Sequence, residues 1–291
     1  MRNKTVIFIF LICISLISHS SVNADDKKSK KPKKKNIQIS LLSISQKVSG
    51  LKGDEDFNNK IQNTSLVQIA FRWQPIITAV RDGTLPKYEA IDSILNFTNS
   101  LWDFLDAKVR TNKIKKYSDA EWVFPVKGYN SDAIGGFRGS GYITAGFDFF
   151  DKNSGGHPAQ DIFISDANQD CLDDRTNSPV EILSMSGGIV IETRKNWTTN
   201  MMDIKGGNIV YVYDNYTNGF FYYAHMNEVN VNVGDLVEPG TSLGTLGRTG
   251  KNAYPSRSPT HLHIMYVRTF DGDLRPENIY NDLLRVRTID K

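Results

Sequence analysis

Beyond Ser118 the apolar residues fall in short runs bounded by Gly, Asn, Asp and Pro, the pattern of strands rather than helices. Such runs are Trp122 to Val126, Ile162 to Ile164, Glu181 to Leu183, Gly188 to Glu192, Asn208 to Tyr213, Gly219 to Tyr223, Glu228 to Val233 and His261 to Val267. The polar interval from Asp214 to Gly219 reads as a hairpin loop. Earlier in the chain, from Ile37 to about Lys116, the pattern is helical. Leu66 to Val80 is apolar-rich, but Pro75 in its middle lacks an amide donor and should split it. After a break at Gly83 to Pro86, Ile91, Ile94, Leu95, Trp102, Leu105 and Val109 recur at helical spacing. That stripe suits packing of the helices on one another or on the domain that follows. The expected architecture is a mainly β domain of antiparallel sheets, residues 118–291, preceded by a small α-helical region, residues 37–117.

The first 36 residues change the picture of where such a domain works. Residues 1–24 open with Arg2 and Lys4, continue through an apolar run from Val6 to Ile17 and end in small polar residues, the layout of a secretory signal peptide. The apolar run is short for a membrane span, so the expected destination is secreted or periplasmic. Cys13 lies inside this leader, and its removal leaves Cys171 as the sole cysteine, with no internal disulfide to form. The core must then hold without cross-links, which a chain of this length can do. The polar surroundings of Cys171 suggest a surface thiol. The formal net charge of +3 is concentrated in residues 25–36, where seven lysines leave a basic linker too polar to fold. Such a tail can be drawn to anionic envelope polymer or lipid headgroups. No nucleic-acid motif accompanies it.

Histidine is scarce beyond the leader: His157, His225, His261 and His263. On a strand, His261 and His263 project to one face and can reach one point. Asp161 follows His157 by four residues, and Pro158 with Gly155 and Gly156 favours a loop that bends onto a strand. Zinc takes imidazole nitrogen and carboxylate oxygen in tetrahedral geometry, and a catalytic site uses three protein ligands, so two histidines and one aspartate fit the count. His225, after the aromatic run Phe220 to Tyr223, is either part of that chemistry or a strand-end histidine bonded to a backbone carbonyl.

These residues, with Tyr223-Ala-His225, the turn Gly234 to Gly240, the run Gly240, Gly244, Gly247, Thr249, Gly250 and the pair His261-Leu-His263, resemble the lysostaphin-type zinc endopeptidases of bacterial cell wall over about Glu121 to Leu284. One departure is Ala159, where the family often has glycine. The resemblance implies an antiparallel β fold in which His157, Asp161 and His263 hold Zn2+ while His225 and His261 act as catalytic histidines. It leaves open which of the two takes which proton step. The implied activity is hydrolysis of amide bonds in peptidoglycan peptides through a metal-bound water. The competing reading is a non-catalytic protein of the same fold that binds wall or activates another hydrolase; the filled ligand positions speak against it.

Three loops complete the reading. The glycine-rich stretch Ala133 to Tyr142 and the loop Lys251 to Thr260 are expected to border a groove, either contacting substrate or merely joining strands. Asp166, Asn168 and Asp170 place oxygen atoms at alternate positions and form a candidate structural Ca2+ loop, although Cys171 and Asn177 depart from the EF-hand pattern.

Overall fold

The computed structural model describes residues 65–151 and 153–290. The expected signal peptide (residues 1–24), the expected basic linker (25–36) and residues 37–64 of the expected helical region lie outside the described residues. Residues 65–70 are helical and are followed by a turn and then α1 (Trp73–Arg81) and α2 (Lys87–Arg110). The chain breaks at Phe71 and Arg72, ahead of Pro75, so the proline sits in the first turn of α1, where its missing donor costs nothing. The buried stripe of α2 is Ala90, Ile94, Phe97, Leu101 and Leu105. Ile91, Leu95, Trp102 and Val109, read from the sequence as part of that stripe, are only half-buried. The pattern contained two overlapping apolar faces, and the sheet beneath selects between them.

Among the described residues nine strands follow, all paired antiparallel: β1 (Gln160–Phe163), β2 (Glu181–Leu183), β3 (Gly188–Arg194), β4 (Asn208–Asp214), β5 (Gly219–Val229), β6 (Leu236–Val237), β7 (Ser242–Leu246), β8 (His261–Phe270) and β9 (Asp273–Glu277). A short helix α3 (Tyr280–Arg285) closes the chain. The main path runs β1-β8-β5-β4-β3-β6, with β7 joining β2 to β5 and β9 pairing with β8. The mainly β architecture with a preceding helical segment is as the sequence predicts. Trp122 to Val126 is not a strand but makes two isolated bridges, Val123 to Arg287 and Val126 to Ile182. Glu228 belongs to the end of β5, and residues 230–233 leave the ladder.

Alternation along β5 and β8 divides the core in two. Phe221, Tyr223, Leu262, Ile264 and Tyr266 point into one cluster. Phe220, Ala224, Met265 and Val267 point into the other, where Trp73, Ile77, Ile94, Phe97, Leu101 and Leu105 of the helices cover them. By the same alternation His261 and His263 lie on the helix-covered face, toward its other end.

The β4–β5 hairpin holds a buried carboxylate. Asp214 accepts hydrogen bonds from the Tyr216 amide at 2.8 Å and the Thr217 hydroxyl at 3.0 Å. Burial outweighs them and pushes its pKa up to about 6. The unfolded chain releases this proton near pH 4, whereas the fold retains it to about 6, so stability from this group falls as pH rises through that window and stays lost above it. Asp214→Asn should therefore melt increasingly above the parent as pH goes from 4 to 7, by roughly 2–3 kcal/mol at most. A constant melting-temperature gap across that range would refute the assignment.

Candidate active site

The five residues singled out in the sequence converge. Asp161 on β1 and His263 on β8 are cross-strand partners, and His263 is in turn paired with Ala224 on β5. His157 reaches the same point from the loop before β1, where a bridge to Ile143 holds its backbone. His157 Nε2 lies 3.2 Å from Asp161 Oδ1 and 3.1 Å from His263 Nδ1, and His263 Nδ1 lies 3.0 Å from the same Asp161 oxygen. Four-coordinate zinc with ligand bonds of roughly 2.0–2.1 Å has tetrahedral edges of about 3.3 Å, so this triangle is near one face of its coordination sphere. Among the described residues no other His, Cys, Asp or Glu joins the group.

Hydrogen bonds behind the rings fix which nitrogen faces the centre. A carbonyl oxygen can only accept, so His157 Nδ1 donates to Gly141 at 2.7 Å, His225 Nδ1 to Thr249 at 2.8 Å and His261 Nδ1 to Pro259 at 2.7 Å. In the neutral ring each Nε2 is then a bare lone pair. With His263 Nδ1 and the Asp161 carboxylate, the triad concentrates acceptors within 3.2 Å of one another, an arrangement that asks for a proton or a cation between them. The donor set fits zinc.

The electrostatics agree. Burial disfavours ionisation of Asp161, yet hydrogen bonding from His157 and His263, when protons rather than a cation fill the triangle, outweighs it and holds the carboxyl well below the usual carboxylate range. The bond to Asp161 raises the His157 pKa. His225 is pushed down to about 3 by burial and by its neighbours His263 and His261, and burial lowers His261 as well. Both of these rings are neutral proton acceptors at pH 7. Their centroids are 4.9 Å apart, and His225 lies 5.6 Å from His263.

His225 arrives there through a β-bulge. Its φ is +66°, its amide donates to Gly206 rather than to a strand partner, and the β4–β5 register slips between Val210 and Asn208. Ala224 points to the helix-covered core while Met226, two residues on, points to the opposite one. The slip turns the imidazole onto the face of His261 and His263, a known use of bulges beside reactive centres.

Residues 169–274 match the model of Peptidase family M23. The matched segment contains His225, His261 and His263; it begins after His157 and Asp161, which the antiparallel pairing of β1 with β8 brings alongside. Among solved structures, the catalytic domain of lysostaphin from Staphylococcus simulans is 25% identical over 43% of this chain and 77% of that chain, with a TM-score of 0.30. A zinc containing peptidase from Vibrio cholerae is 20% identical over 42% of this chain and 30% of that chain, with a TM-score of 0.28. No curated protein matches the chain significantly.

Around the matched segment, the loops do work that their sequences did not disclose. The glycine-rich stretch supplies the Gly141 carbonyl to His157, and its Gly135 amide donates to the Asp161 carbonyl at 2.8 Å. A Cβ at Gly135 would meet the Phe163 ring at 2.4 Å, so only glycine lets the loop lie on that ring. Phe163 packs in turn against His261 at 5.2 Å, and Tyr222 meets His263 edge-on at 6.1 Å. Carbonyl clamps leave no mark in a sequence, because every residue has one.

The calcium reading of Asp166, Asn168 and Asp170 is not supported, because their oxygens are spent within the protein. Asp166 accepts from the Asp170 and Cys171 amides and from the Thr260 hydroxyl at 3.0, 2.9 and 2.6 Å. Asp170 accepts from the Leu172 amide and the Asn168 side chain, and Asn168 accepts from the Asp170 amide. Cys171 is half-buried rather than a surface thiol, and burial raises its pKa.

Proposed function

We propose that this chain is an exported zinc-dependent endopeptidase that hydrolyses amide bonds in peptidoglycan peptides, with residues 118–291 as its catalytic domain. The observation that carries the reading is the triangle of His157, Asp161 and His263 with two neutral, carbonyl-anchored histidines beside it. The M23 match and the cell-wall peptidase motifs support the reaction class. Zinc held by the triad would supply a Lewis acid for the scissile carbonyl and lower the pKa of a coordinated water toward 7. His225 and His261 present Nε2 toward that point; between them they accept the proton of the attacking water and return it to the leaving amine. A protonated imidazole there also offers a donor to the developing oxyanion. Residues 1–24 are the leader that exports the chain, and the lysine-rich segment after it holds the enzyme near anionic envelope material.

The test is direct. Mature protein incubated with purified cell wall should release peptide fragments whose masses correspond to a cut amide, a chelator should stop the release, and added zinc should restore it. Wall left intact by zinc-loaded protein would overturn the proposal.

A further inference from the structure

We propose that Arg248 is a positioning residue for His261: its buried guanidinium gathers the loop 254–260 and thereby fixes the Pro259 carbonyl that orients the catalytic ring. The inference rests on the catalytic reading of His261 given above. Arg248 is only 8% exposed. Its Nη1 donates to the Ser258 carbonyl at 2.5 Å and lies 3.4 Å from the Thr260 hydroxyl; its Nη2 donates to the carbonyls of Tyr254 and Pro255 at 3.2 and 3.1 Å. A guanidinium is a rigid planar fork of five donors, so one side chain can hold several oxygens of a loop at fixed mutual distances.

The residues on both sides of Pro259 are thus tied to Arg248. Thr260 is held from its other side as well, since its hydroxyl donates to Asp166, whose second oxygen is anchored by the Asp170 amide. Pro259 sits between these two tethers, and its carbonyl accepts the His261 Nδ1 proton at 2.7 Å. Loosening either tether lets that carbonyl swing, and the imidazole then loses the bond that fixes its tautomer and plane. The next residue after Arg248 is Thr249, whose carbonyl clamps His225, so the hub lies beside the supports of both histidines.

Arg248→Ala in zinc-loaded protein should lower kcat about 100-fold, the cost of a misplaced catalytic group, with KM and bound zinc unchanged. Methylguanidinium should recover part of the rate, and 15N spectra should show the His261 Nδ1–H signal displaced. Unchanged kcat, or a loss that accompanies zinc release and is not rescued, would overturn the proposal. Should Arg248→Ala fail to fold, Thr260→Val cuts the shared tether without changing shape, and the same kcat effect with a displaced His261 signal is expected. Parent kinetics and parent spectra in that variant would overturn it. If the parent protein cleaves no wall peptide, the enzyme reading fails, while the His261 signals still decide whether Arg248 orients the ring.

Discussion

His263→Ala is expected to abolish zinc retention and hydrolysis together, whereas His225→Ala keeps the metal and loses turnover by roughly 10²–10⁴-fold, the usual worth of a positioned acid or base. The asymmetry follows from geometry. His263 Nδ1 is one corner of the triangle, 3.0 Å from Asp161 and 3.1 Å from His157, and its removal leaves two ligand side chains on one short segment. His225 stands outside that triangle, held through Nδ1 to the Thr249 carbonyl, with its ring 5.6 Å from that of His263. Metal content by emission spectroscopy and fragment release by mass spectrometry read the two effects separately. Equal zinc loss in both variants would mean that His225 is a ligand and that the division of roles is wrong.

Trp73→Ala should destabilise the folded chain by about 4–8 kcal/mol, the sum of a core cavity of about 3–5 kcal/mol and about 1–3 kcal/mol for a buried acceptor that loses its donor. Trp73 is fully buried, stacks on Phe220 of β5 at 4.6 Å and meets Phe97 of α2 at 5.4 Å. Its indole donates to the Glu192 carboxylate at 3.1 Å, and Glu192 is itself only 3% exposed. For a unit of this size the melting temperature should drop by roughly 10–30 °C. Trp73→Phe keeps a ring on Phe220 and loses only the donor and some volume, so it should fall between the two. An unchanged melting temperature in Trp73→Ala would mean that the helices are not docked on the sheet in solution. Helices α1 and α2 thus belong to the core of the β unit, covering the far end of the sheet face that presents His261 and His263.

Much of the β domain was legible because strands of an antiparallel sheet report their own burial. Asn208 to Tyr213, Gly219 to Tyr223 and His261 to Val267 alternate or run apolar between turn residues, and all three lie in strands. Trp122 to Val126 has the same look yet forms only two bridges, since a run can be buried without a neighbour in register along its length. The short β6, β7 and β9 were missed for the opposite reason: strands of two to five residues carry too little pattern to register.

For the site, the chain itself determined which atoms were available: a few imidazoles, one carboxylate four residues from the first, and two histidines that any strand would set on one face. Those follow from composition and from the period of the backbone. The tertiary structure decided the rest. It alone laid Asp161 opposite His263, inserted the bulge that turned His225 to the same side, and enclosed Arg248 in a ring of carbonyl oxygens. Side-chain type is local information, but the direction of a ring depends on register and on what stands behind it. Those are set only when distant segments meet.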